Sequence, residues 1–274
     1  MKKVIIAFDN ASFSESALDF AVRLNQISPI LLTGVFLPQS EISALWSYAG
    51  AVPSGLLIPL VEPESSEEVK THIDIFSRIC EHNDIDYKVH KDFNNFSIQE
   101  LVRESRFADL ILLGGNSFYQ KITDKTPNMY IRQVLHDVEC PVMLLPQKAA
   151  FPGNNILSYD GSANCVFAIK QFAYLFPEFS NKRTSLIYIN NKSNKALPEK
   201  VNIEELVSRH FPDLEIMHLT FDAKKYLASW LVDRPASIFI AGSYGRSGLS
   251  RLFAPSAIDN VITSHSIPIF IAHR

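Results

Sequence analysis

Residues 237–242 read SIFIAG and residues 109–114 read DLILLG, each an apolar run closed by glycine. Neither run alternates polar with apolar positions. Both faces of each encoded strand therefore meet apolar surroundings, as in a parallel sheet covered by helices on its two sides. Around these two runs the rest of the chain repeats. Lys3 to Asp9 (KVIIAFD) matches residues 154–160 (NNILSYD), and Cys140 to Leu145 (CPVMLL) matches Ile267 to Ala272 (IPIFIA). Gly114 precedes Pro141 by 27 residues and Gly242 precedes Pro268 by 26, so the two copies keep their closing spacing. From the closing Asp to the glycine the distances are 105 and 82 residues, and an uncharged insertion in the first copy accounts for most of the difference. The economical reading is two homologous domains, 1–147 and 154–274, joined near QKAAFPGNN (147–155).

Within each copy apolar runs alternate with stretches of helical period. The first copy predicts strands near 3–8, 30–36, 85–90, 109–114 and 141–145, with helices near 13–26, 65–82, 97–106 and 127–137. The second predicts strands near 155–160, 184–190, 214–219, 236–241 and 267–272, with helices near 163–176, 198–210, 222–232 and 254–264. Ser65-Ser66-Glu67-Glu68 is a capping sequence for the helix that follows it. Alternating strand and helix implies a parallel sheet with crossover connections, here twice over.

The composition agrees. The 274 residues are 47% hydrophobic and 20% charged, a core-forming balance. A net charge of −3 gives no basic surplus to neutralise phosphates, so nucleic acid is not an expected partner. Three widely spaced cysteines, Cys80, Cys140 and Cys165, form no CxxC pair and read as thiols of a reducing cytoplasm. The apolar opening Val4 to Phe8 stops at Asp9, short of the roughly 7–15 residues of a secretory core, and reads as a strand. Residues 42–61 carry no charge over 20 positions, the length of a membrane span. Pro53, Pro59, Gly50 and Gly55 interrupt them, so the insertion at about 37–63 reads as a long loop rather than a membrane element. Its Leu45, Trp46, Tyr48, Leu56 and Leu57 require cover from a ligand or a partner.

Topology then locates a site. In an open parallel sheet of order 3-2-1-4-5, ligands bind beyond the carboxyl ends of the first and fourth strands, where the strand order reverses. The first strands end in Asp9 and Asp160, and the fourth in Gly114-Gly115 and Gly242. A carboxylate facing a glycine turn across a crevice suits a nucleotide, with an acceptor for base or ribose and bare amides for phosphate. An equally open reading is that each Asp caps the next turn and each Gly permits the chain reversal.

The segment Gly242 to Ser256 (GSYGRSGLSRLFAPS), then a helix and Ser266-Ile267-Pro268-Ile269-Phe270-Ile271, resembles the ending of universal stress protein domains. That ending is a glycine, two residues, a glycine, nine residues, then Gly-Ser or Gly-Thr. The Asp160-Gly161-Ser162 turn is similar to the family's opening, and the resemblance extends over both copies as a tandem protein. It implies two doubly wound, five-stranded α/β domains of the adenine nucleotide alpha hydrolase-like fold. It also implies ATP binding, with magnesium, in the nucleotide-binding members. Carried over, it nominates Asp160, Gly242, Gly245 and Ser256, with Arg246 and Arg251 adding positive charge. The first copy keeps Asp9 and Gly114 only: Ser117 stands for the second glycine, and Pro127-Asn128 for the final pair. In the second copy Pro255 stands where the pattern has glycine, removing one amide donor. The resemblance further implies an intrachain pseudo-dimer through the last strands, 141–145 and 267–272, and leaves a homodimer open.

Enzymatic signatures are missing. The sequence has no Walker A pattern, no GxSxG elbow, no HExxH and no HxGH-like or SGGxDS-like turn after a first strand. His72 and His82 are expected on a helix surface, His265 near a helix end and His273 at the terminus. The expected role is a cytoplasmic, non-catalytic nucleotide-binding or regulatory module of the stress response. The alternatives are a weak ATPase or nucleotide-processing enzyme, and a structural protein that contacts partners through 37–63.

Overall fold

The computed structural model describes residues 1–9, 13–37, 65–90, 98–114, 129–148, 150–190, 196–242, 260–262, 264 and 267–273. Contacts divide the chain into two compact units that part between Cys140 and Pro141.

In the first unit, β1 (Lys2–Asp9), α1 (Glu15–Ile27), β2 (Ile30–Leu37), α2 (Ser65–His82), β3 (Asp86–Val89), α3 (Ile98–Ser105), β4 (Leu110–Gly114) and α4 (Met129–Asp137) follow one another. The strands lie in the order β3-β2-β1-β4, with β1 parallel to both β2 and β4 and β3 parallel to β2. Every residue of β4 is buried, as its unbroken apolar run requires. On α1, Ala17, Leu18, Phe20, Ala21 and Leu24 are buried, one stripe at helical spacing. The helix starts where Ser14 accepts a hydrogen bond from the Ala17 amide at 3.3 Å.

The second unit opens with β5 (Val142–Leu145), followed by β6 (Asn154–Tyr159), α5 (Ala163–Leu175) and a 3₁₀ turn at Pro177–Phe179. After them come β7 (Arg183–Ile189), α6 (Lys200–His210), β8 (Leu214–Leu219), α7 (Ala223–Val232), β9 (Ser237–Ala241) and β10 (Ile269–Ile271). Its strands lie in the order β5-β10-β9-β6-β7-β8. The second copy's own five strands, β6 to β10, thus have the expected 3-2-1-4-5 order and are all parallel. The sixth member, β5, belongs to the first copy by sequence and pairs antiparallel with β10, Ile269 opposite Leu144 and Ile271 opposite Val142. By contacts β5 groups with the second unit. Strands β5 and β10 are the last strands of the two copies, 141–145 and 267–272, through which the resemblance implies contact.

The 3₁₀ turn has a local cause. Proline cannot continue a helix, so Pro177 ends α5 and starts the tighter turn. Phe179 then stands beside Lys182, whose ammonium lies 4.2 Å from its ring centroid and 5.2 Å from that of Phe151. The same ammonium donates to the Pro152 carbonyl, and burial pulls its pKa down. This contact fastens the segment before β6 onto the second unit.

Candidate functional site

In the second unit β6 and β9 are parallel, with Leu157 level with Ile240. Carrying that register forward sets Tyr159 level with Gly242 and Asp160 one residue beyond it. In the first unit Ala7 is level with Leu113, which sets Phe8 level with Gly114 and Asp9 one residue beyond. Both copies therefore place the aspartate and the glycine at the carboxyl ends of adjacent first and fourth strands, at the same offset. This is the point at which the strand order reverses.

In the second unit these residues meet through the first turn of α5. Asp160 Oδ1 accepts from the Ser162 amide at 2.8 Å, closing an Asx turn. Ser162 Oγ then caps α5 by accepting from the Cys165 amide at 3.3 Å. Gly161 between them has φ +86°, in the left-handed region that favours glycine, and a Cβ there would lie 2.7 Å from Pro198 Cβ. Tyr159 reaches the same Pro198, its hydroxyl donating to the carbonyl at 3.0 Å. Gly242 closes the arrangement from the fourth strand. A Cβ on it would lie 2.2 Å from both N and Cα of Cys165, so β9 ends in direct contact with the start of α5. Ser158, wholly buried, donates to the Ile240 carbonyl at 2.8 Å and ties the two strand ends together.

Asp160 and Gly242 thus each have a local structural role, turn closure and close helix packing, at the carboxyl ends of adjacent strands. The Cys165 thiol is buried, and that burial, reinforced by the charge of Asp160, pushes its pKa far up. Sequence reading set Cys165 among the idle thiols, and nothing local marks its backbone as the surface that Gly242 meets. Gly245, Arg246, Arg251, Pro255 and Ser256, which make up the phosphate side of the resemblance, lie outside the described residues.

The first unit solves the same strand end differently. Three residues more separate Asp9 from the helix cap Ser14 than separate Asp160 from Ser162 in the second copy, and Phe13 falls just before that cap. Its ring stacks on Phe8 at 4.8 Å with an interplanar angle of 5°, and Phe8 stacks on Phe36 at 5.0 Å. Phe76 meets Phe8 and Phe36 edge-on. Gly34 makes room for that ring, which would stand 3.0 Å from a Cβ there. His72 was expected on a helix surface. Instead it is half-buried, 5.5 Å from the Phe13 ring, with a buried Nδ1 that has no partner among the described residues. Gly114 is buried at the end of β4, while the Asp9 side chain, Ser117, Pro127, Asn128 and the insertion beyond residue 37 lie outside the described residues.

Among the described residues no three His, Cys, Asp or Glu side chains are grouped to hold a metal ion, and no helix is long and apolar enough to cross a membrane.

No family model matches the chain, and no curated protein does. Solved structures do. A universal stress protein from Archaeoglobus fulgidus DSM 4304 superposes with a TM-score of 0.71 at 14% identity, covering 100% of this chain and 96% of that one. A putative universal stress protein from Pseudomonas aeruginosa UCBPP-PA14 gives 0.58 at 9% identity, over 100% and 93% of the two chains. A functionally unknown protein from Pseudomonas aeruginosa PAO1 gives 0.59 at 10%, over 100% and 92%. Over its whole length the chain has the α/β fold of universal stress protein structures.

Proposed function

We propose that the chain is a tandem universal stress protein, with domains at 1–147 and 154–274, whose second domain binds an adenine nucleotide without turning it over. The observation that carries this reading is the matched offset of Asp160 from Gly242 and of Asp9 from Gly114, at the strand ends where α/β sheets take ligands. Asp160 supplies a carboxylate at the adenosine end. The turn that follows Gly242 contributes Gly245, Arg246 and Ser256 toward the phosphates of ATP with magnesium. In the first domain the stacked Phe13 lies beside the strand end at Asp9, in keeping with a site reduced to Asp9 and Gly114. Binding of this kind regulates by favouring one of two conformations or partner states. A cytoplasmic role in the stress response follows from the family reading.

The test is isothermal titration of ligand-free protein with ATP and magnesium, beside a Gly245→Asp variant. Saturable binding that the variant loses by tenfold or more is the expected outcome, since a carboxylate among phosphate-facing amides repels the ligand. No binding by the wild type overturns the reading. The structural roles of Asp160 and Gly242 favour one alternative, a fold kept as a scaffold whose partner contacts lie in 37–63. That alternative is the one left standing if titration shows nothing.

A further inference from the structure

Helix α7 carries its apolar residues on two sides. Leu227 and Leu231 are fully buried and hold it to the sheet. Tyr226, Ser229, Trp230 and Asp233 recur at i, i+3, i+4 and i+7 and so share another face of the helix. With Phe221 they line a surface depression of about 420 Å³. Tyr226 is 54% exposed, a large ring left in water, and Phe221 meets it edge-on with ring centroids 6.4 Å apart. Three aromatic residues and one acidic residue thus line a single depression within the second unit.

The local charges point to the occupant. Trp230 already holds one cation: the Arg234 guanidinium lies 3.6 Å from its ring centroid, and Arg234 does not line the depression. Asp233 is exposed, and its side chain has neither a hydrogen-bond nor an ion-pair partner among the described residues; its backbone N–H caps the helix by donating to the Leu231 carbonyl. Asp222, by contrast, is engaged in capping α7 through the Lys224 amide at 3.0 Å. Lys224 and Lys225 leave from the first turn and do not line the depression. Aromatic faces attract cations through their quadrupole, most strongly cations whose alkyl groups make them cheap to desolvate, and a nearby carboxylate adds attraction.

We infer that the Phe221–Tyr226–Trp230–Asp233 depression is a binding site for a small alkylated ammonium solute. It is separate from the strand ends at Asp160 and stands whether or not a nucleotide binds there.

The experiment uses the full chain with Trp46→Phe, which leaves Trp230 as the one fluorescent tryptophan of the two in the sequence. Choline is titrated against Trp230 emission, beside 3,3-dimethylbutanol, which has the same shape without the charge. Saturable quenching by choline, with the neutral alcohol binding about tenfold more weakly or not at all, is the expected result. Asp233→Asn should weaken choline binding about threefold to tenfold, and Tyr226→Ala should weaken it at least as much. Both positions are exposed, so unchanged urea midpoints will show that the variants fold. Absence of saturation, equal binding of the alcohol, or unchanged affinity in both variants overturns the inference. So does binding of a trimethyl-lysine peptide with no binding of choline, which would make the ligand a protein side chain.

Discussion

A methyl group on Gly242 would sit 2.2 Å from the backbone N and Cα of Cys165 and 2.5 Å from the carbonyl carbon of Asn164. Those atoms are the first turn of a capped helix, so neither can move aside as the tip of a flexible side chain would. Gly242→Ala is expected to lower the unfolding free energy by about 1–3 kcal/mol, the usual range for overpacking. Gly153→Ala is its control: the added atom would meet only the Ala236 carbonyl oxygen, at 3.7 Å, and the change should stay within about 0.5 kcal/mol. Urea denaturation of the two variants reads the difference, and equal midpoints would contradict the packing role. The sequence alone singles out Gly242, because it ends an apolar run and has a counterpart at Gly114. The reason it must be glycine was not legible. Its contact lies 77 residues away in the chain, and no local pattern pairs a strand end with one particular turn of one particular helix.

At the level of elements, the two helices that follow the first strands start alike. Ser14 caps α1 and Ser162 caps α5, each accepting at 3.3 Å from the amide three residues on. Replacing either serine with alanine should cost about 1 kcal/mol, measured as a shift of urea midpoint. Under the nucleotide reading only Ser162→Ala should also weaken ATP binding, because its cap holds the turn of Asp160. Equal loss of ligand affinity in both variants would argue against that assignment. Strands such as β4 and β9 are legible because their runs are apolar with no alternation, Ser237 at the start of β9 aside, and the sheet buries them at every position. Helix α1 is legible through its stripe of buried residues. The 3₁₀ turn at Pro177–Phe179 escaped notice since three residues carry no period. The aromatic face of α7 escaped for another reason. Period alone shows that Tyr226 and Trp230 share a face, but not that Leu227 and Leu231 already suffice to bury the helix.

For the molecule as a whole, the division of the chain between Cys140 and Pro141 yields a prediction about fragments. A fragment of residues 141–274 keeps β5 as the antiparallel partner of β10, with Ile269, Phe270 and Ile271 covered along that edge. One that starts at residue 151 exposes β10 as an edge strand, and Ile269–Ile271 are buried apolar residues with no charge among them. The longer fragment should unfold cooperatively at a higher urea midpoint than the shorter, because it keeps the β5–β10 pairing. If the two behave alike, β5 is not needed to close that sheet. The repeat in the sequence reveals two copies, and the family resemblance implies their strand order. The pairing of Val142–Leu145 with Ile269–Ile271 was legible through the resemblance and not through local pattern, since a four-residue apolar run names no partner.

The β5–β10 pairing also bears on the order in which the molecule can be made. Leu144 and Ile269 are separated by 125 residues, so during synthesis β5 leaves the ribosome long before its partner exists. At roughly 5–20 residues per second, β5 waits for several seconds or more with the edge that β10 will pair uncovered. Through that interval it is β5, of apolar sequence Val-Met-Leu-Leu, that a nascent-chain chaperone would find exposed, and the arrival of β10 would end the encounter.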